Sequence, residues 1–93
     1  MIRSFADKRA AAIFLGHAVR DLPFDIQRRA RAKLLAIAAA QRIGDLRNPP
    51  GNRLEALRGD RAGEYSIRVN DRWRICLVWR DGEAWGVALV DYH

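Results

Sequence analysis

A length of 93 residues with 49% hydrophobic content leads to the expectation of one domain with a single core, and argues against a disordered chain. Cys76 is the sole cysteine, and His17 and His93 are the only histidines, so an internal disulfide and a cysteine-built metal cluster are both excluded. The formal charge of +6 is carried almost wholly by arginine, whose planar fork of donors suits phosphate, so a polyanionic partner stands beside the plainer reading of a solvated basic surface.

Met1 to Phe5 has no apolar signal-peptide region, and no apolar run reaches membrane-spanning length. A cytoplasmic protein without membrane contact is the expectation. Ile2 to Phe5 reads as a short strand. Asp7 then caps a helix over Lys8–Leu15 that stops at Gly16, with Ala11, Phe14 and Leu15 toward the core. His17 follows as a helix-end residue.

Pro23-Phe24-Asp25 opens a second helix reaching about Gln41. Ile26, Ala30, Leu34, Ile37 and Ala38 form its apolar stripe, and Gln27, Arg28 and Arg31 lie away from it. Ile43–Leu46 makes a further helical turn before the breaker Asn48-Pro49-Pro50-Gly51. Arg53–Leu57 alternates as a strand, and Arg58–Gly63 turns.

Three strands follow, from Tyr65 to Val90. Their register can be argued from the apolar pattern. A two-residue loop at Asn70-Asp71 would mix apolar and charged residues on both faces. A three-residue loop, Asn70-Asp71-Arg72, pairs Val69 with Trp73, Ile67 with Ile75 and Tyr65 with Leu77, all on one face. Arg68 and Arg74 then become cross-strand neighbours on the other face. Like charges there destabilise a sheet by some tenths of a kcal/mol to about 1. An anion between the two arginines would offset that cost; the alternative is two arginines splayed into solvent or paired with acids such as Glu64.

Asp81-Gly82 is a two-residue hairpin signal that pairs Trp79 with Ala84, Leu77 with Gly86 and Ile75 with Ala88. In that register Asp91 falls diagonal to Arg74, His93 continues along the same face, and Tyr92 alternates away from them. The expected fold class is α+β: two N-terminal helices packed on one face of a mostly antiparallel sheet of four to five strands.

Arg53-Leu54, Leu57-Arg58-Gly59-Asp60-Arg61, Tyr65-Ser66-Ile67-Arg68-Val69, Trp73-Arg74-Ile75 and Asp91-Tyr92-His93 together resemble HigB toxins of the RelE superfamily. Met1–Phe5 and Ile43–Leu46 fit as well, so the resemblance covers residues 1–93 as a single toxin domain. It implies a RelE-like fold and a toxin of a type II toxin–antitoxin system. The implied activity is a metal-independent endoribonuclease that cuts mRNA in the A site of the 70S ribosome, with no cofactor. The implied partner is a HigA-type helix-turn-helix antitoxin, through which alone the toxin reaches operator DNA.

The resemblance assigns catalysis to Arg58, Arg74, Asp91, Tyr92 and His93, and Arg68 stands at a position that is often basic in RelE-like enzymes. Glu55 departs from the pattern, because some HigB toxins carry a histidine there. It is a candidate general base or a sign of altered cleavage. RNA cleavage of this kind needs a base for the 2′-hydroxyl, cations for the charged phosphorane and an acid for the departing 5′-oxygen. The arginines suit the second task only, since guanidinium does not release its proton. His93 suits proton transfer, or is an ordinary chain-end residue. Asp91 would orient His93 or an arginine, and Tyr92 would stack on a base. Three other readings remain: a RelE-superfamily toxin that inhibits gyrase, a non-catalytic RNA-binding domain, and a structural partner module whose arginines bind an acidic protein.

Overall fold

A computed structural model of the protein describes residues 1–92; His93 lies outside the described residues. Helices α1 (Lys8–Phe14) and α2 (Phe24–Ala39) precede a sheet of β1 (Glu55–Ala56), β2 (Glu64–Arg68), β3 (Trp73–Arg80) and β4 (Glu83–Asp91). The sheet runs β1-β2-β3-β4 and is antiparallel throughout. The expected α+β architecture is what the chain adopts. No helix among the described residues is long and apolar enough to cross a membrane.

Asp7 holds α1 at both ends of its carboxylate. Oδ1 accepts from the Arg9 amide at 2.9 Å and caps the helix, while Oδ2 accepts from the Leu89 amide at 3.0 Å and ties it to β4. That tether sets the helix rotation. Ala10 and Ile13 are buried against the sheet, and Phe14 stacks on Phe5 with ring centroids 5.6 Å apart. Ala11 is only half-buried, and Leu15, about 100° on from Phe14, is 68% exposed, against the expectation that both face the core.

On α2 the apolar stripe Ile26, Ala30, Leu34 and Ile37 is buried, Ala38 partly so, and the helix ends at Ala39 because Ala40 is already extended. Gln27 corrects the expected pattern. It is buried, with Oε1 accepting from the Val19 amide at 2.9 Å and Nε2 donating to the Leu22 carbonyl at 2.8 Å. A polar side chain is tolerated there because it satisfies the backbone of the α1–α2 loop.

The expected strand over residues 53–57 shortens to two residues. Arg53 takes a left-handed conformation (φ 45°) after a turn of 3-10 helix over Pro50–Asn52, so pairing begins only at Glu55. The N-terminal strand is reduced to two parallel bridges, Ile2 with Ala84 and Phe5 with Val87. The core lies between the helices and one face of the sheet, where Ile67, Val69, Ile75, Leu77, Val87 and Leu89 meet the α2 stripe. The other face carries no helix.

Candidate active site

The first hairpin of the meander follows the apolar pattern. Tyr65 pairs with Leu77, Ile67 with Ile75 and Arg68 with Arg74, and the Val69 amide donates to the Trp73 carbonyl at 2.9 Å. Asn70 fixes the three-residue loop, its Oδ1 accepting from the amides of Arg72 and Trp73 at 3.0 and 2.7 Å. Arg68 and Arg74 therefore stand opposite each other on the face away from the helices. Across β1, β2 and β3, Glu55 pairs with Ser66 and Ser66 with Cys76, so these three make the adjacent row of the same face.

The two arginines do not meet head to head. Arg74 is only 9% exposed and turns toward β1. Its Nε donates to Ser66 Oγ at 2.9 Å, and its Nη2 donates to the Arg53 and Ser66 carbonyls at 2.7 and 3.2 Å. All three acceptors are neutral. No carboxylate among the described residues pairs with Arg74, and the acceptors that hold it carry no charge. Arg68 instead pairs with Asp71 in the hairpin loop. The repulsion that the register creates is relieved by these opposite departures.

The second hairpin departs from the expected register. Asp81 (φ 55°) and Gly82 (φ 75°) form the two-residue turn, and Trp79 pairs with Ala84 as expected. Between Cys76 and Val78 the ladder then shifts by one residue. Gly86 sits at φ 59°, its amide donates to Ser4 Oγ at 2.8 Å, and the Val87 amide donates to the Ser4 carbonyl at 3.1 Å. Gly86 is the extra residue of a β-bulge whose amides serve the N-terminal segment. Ile75 consequently pairs with Leu89 rather than Ala88, Leu77 does not pair with Gly86, and Arg74 pairs with Val90.

The bulge exchanges the last two described residues between faces. Asp91 pairs with Trp73 and bonds Arg72 through Nε and Nη2 at 3.0 and 2.8 Å, so it does not join Arg74 as expected. This carboxylate raises the Arg72 guanidinium further above its ordinary value. Tyr92, expected on the other side, comes to Arg74. Its amide donates to the Arg72 carbonyl at 2.6 Å, and its ring centre lies 5.9 Å from the Arg74 guanidinium carbon. The Tyr92 hydroxyl is 3.8 Å from the Cys76 sulfur. Burial raises the Tyr92 phenol above its ordinary value, the Cys76 contact adds to this, and Arg61 opposes it.

Of the residues singled out in the sequence, Arg74, Arg68, Glu55 and Tyr92 share the open face. Glu55 is exposed beside Ser66. Arg58 precedes the short 3-10 turn Gly59–Arg61 at the margin of β1, makes no side-chain cap bond to it, and is exposed. Asp91 faces the other way, and His93 lies outside the described residues.

Three participants were not anticipated. Ser66 is the buried partner of Arg74. Cys76 floors the space under Tyr92. Arg61 forms a two-point pair with Glu64, Nε to Oε2 at 3.1 Å and Nη2 to Oε1 at 3.3 Å, and feels both Cys76 and Tyr92. An irregular turn has no parity, so nothing in the pattern showed which way Arg61 points; only the i,i+3 spacing to Glu64 hinted at the pair. Among the described residues no group of three or more His, Cys, Asp or Glu side chains could hold a metal ion. What the face offers is positive charge around a buried arginine, with an aromatic ring on it.

A family model described as the RelE-like toxin HigB of type II toxin–antitoxin systems matches residues 3–93. The chain belongs to that HigB-like family. Among its relatives, the Endoribonuclease HigB of Proteus vulgaris is 36% identical over 93 residues, covering the whole of both chains. The Toxin HigB-1 of Vibrio cholerae is 46% identical over 65 residues, which is 70% of this chain and 68% of that protein. As a HigB-like toxin, the chain has an antitoxin as its partner, and its matched span includes every residue of the open face.

Proposed function

We propose that this HigB-like toxin is an endoribonuclease that cuts mRNA in the A site of the 70S ribosome and so stops translation and growth. In this reading it works in the cytoplasm, is silenced by a HigA-type helix-turn-helix antitoxin, and reaches operator DNA only through that antitoxin. The observation that carries the reading is Arg74, a buried guanidinium fixed by neutral acceptors and capped by the Tyr92 ring. A cation so placed favours an anion arriving from solvent: the bonds from Nε and Nη2 hold the guanidinium still, and Nη1 is the nitrogen left to meet the charge that builds on the phosphorane.

The other roles follow from position, except that of His93, which follows from the family resemblance and from imidazole chemistry. Arg68, opposite Arg74 in the ladder, supplies the second positive charge after exchanging Asp71 for phosphate. Arg58 supplies a third from the turn margin. Tyr92 stacks on the base next to the scissile phosphate, as an aromatic face accepts any base. Glu55, exposed in the Ser66 row, is the candidate base for the 2′-hydroxyl, and His93 is the acid for the departing 5′-oxygen. Asp91 acts at one remove, because it grips Arg72, whose carbonyl holds the Tyr92 amide.

The test is cleavage of a translated mRNA in a reconstituted system. Arg74→Ala should reduce codon-linked cuts by about 10²–10³-fold, the usual cost of removing one transition-state donor. Deletion of His93 should abolish them. Full toxicity of both variants in cells would overturn this assignment.

A further inference from the structure

Positive charge does not stop at the edge of the open face. A groove of about 290 Å³ runs from Arg68 and Val69 past Gly51 to Arg29, Ala32 and Lys33 on α2. A second hollow of about 390 Å³, lined by Asp25, Arg28, Arg29 and Ala32, extends it along the helix. Arg29 lines both.

Lys33 is positioned there. Its ammonium donates to Asn52 Oδ1, and the amide nitrogen of Asn52, which is wholly buried, donates to the carbonyls of Leu46 and Asn48 at 3.0 and 3.2 Å. Partial burial lowers the Lys33 pKa, and the neighbouring Arg29 lowers it further. Neither Arg29 nor Lys33 has a carboxylate partner among the described residues. At i,i+4 the two cations are neighbours on the helix surface and repel each other.

We propose that this groove holds the ribose-phosphate backbone of the substrate strand on the flank of the cut, with Arg29 and Lys33 each taking a phosphate and Arg68 at the mouth passing the strand to Arg74. The proposal rests on the RNA-cleaving reading of the open face and extends it round the sheet edge. Chemistry favours RNA over an acidic protein here. The lining has no exposed large apolar side chain, whereas protein interfaces are anchored by such groups. The exposed Phe24 has that character, but it lines the cleft between α1 and α2, which meets the second hollow at Arg28 and not the groove itself.

The experiment measures binding of a single-stranded RNA of about twelve nucleotides, made uncleavable by a 2′-deoxy sugar at the cut, against salt concentration. A trinucleotide spanning only the cut serves as the second probe. Arg29→Ala/Lys33→Ala should weaken the long probe about tenfold at low salt and flatten its slope of log K on log salt by about 1.4, since each lost single-strand contact removes about 0.7. Trinucleotide binding should not change. Where Lys33→Ala disturbs the Asn52 loop, Arg29→Gln at its exposed position should still flatten the slope by about 0.7.

An unchanged slope, equal losses on both probes, no salt-dependent binding of the long probe by the unaltered toxin, or loss of antitoxin binding with RNA binding intact would each overturn the proposal. Arg74→Ala on the trinucleotide separates the two readings. If it binds as well as the unaltered protein, the assignment of the open face is what fails.

Discussion

The two hairpins that share β3 are built differently. Between β2 and β3 the ladder runs without interruption from Glu64–Val78 to Arg68–Arg74. Between β3 and β4 it breaks once, at Gly86. The uninterrupted hairpin sets Arg68 against Arg74 and holds Ser66 within reach of the Arg74 guanidinium. The bulged hairpin decides what arrives on top of that arginine. One extra residue in β4 sends Asp91 to the Trp73 side and brings Tyr92 over Arg74. The first hairpin thus supplies the charge, and the second supplies the ring that covers it.

Ser66→Ala breaks the regular hairpin at its functional bond and should have the largest effect on folding stability. Ser66 is fully buried, and among the described residues its hydroxyl is the only acceptor of Arg74 Nε. Removing it leaves a buried donor unpaired, at about 1–3 kcal/mol of unfolding free energy. Denaturant unfolding checks this. Cleavage should fall with it, because Arg74 would keep only its Nη2 bonds to two carbonyls. A stability loss with cleavage intact would mean that Ser66 only packs the sheet.

Tyr92 reports on the bulged hairpin. Tyr92→Ala should weaken binding of an uncleavable RNA by about 1–3 kcal/mol, the cost of losing one stacked base, while Tyr92→Phe keeps most of it. In the unbulged register Tyr92 would point away from Arg74 and neither variant would differ from the unaltered protein. The pH dependence has a defined sign. A phenol raised above its unfolded value of 10.0 contributes stability that is fully present below about pH 10 and is lost as pH rises through its folded value. Tyr92→Phe should remove that alkaline component, as pH-dependent thermal melting would show.

The difference between the hairpins also explains what the sequence revealed. Alternation from Tyr65 to Leu77 is apolar on one side and charged on the other, so only one register buries the apolar set. That argument reached the Arg68–Arg74 pair without coordinates. It fails across Gly86, because glycine has no side chain to carry the pattern and a bulge changes the parity of everything beyond it. Val87 and Leu89 are both buried, but Ala84, Gly86 and Ala88 read equally well as an inward set of small residues. Ser4, which takes the amide of Gly86, lies far away in the chain, so no local spacing signals the bulge. Leu15 and Gln27 were misplaced for a related reason. The rotation of α1 depends on the Asp7 bond to Leu89, and the burial of Gln27 depends on the loop it serves.

Gly86→Ala tests the bulge at its cheapest point and should have the smallest effect. An added Cβ would meet nothing within 4 Å, so crowding contributes nothing. The cost comes from the left-handed backbone at φ 59°, about 1–2 kcal/mol for a residue with a Cβ. Two outcomes are distinguishable. A bulge held firmly by Ser4 and Val87 keeps its register, and the protein loses that much stability in denaturant while Tyr92 still covers Arg74 and cleavage survives. A bulge that depends on glycine itself relaxes instead, and cleavage falls by more than the stability loss explains. The bonds from Gly86 and Val87 to Ser4, at 2.8 and 3.1 Å, favour the first outcome. Combining Gly86→Ala with Ser4→Ala removes the side-chain half of that restraint, and cleavage should then fall further than either single change alone, because the position of Tyr92 over Arg74 is what the bulge maintains.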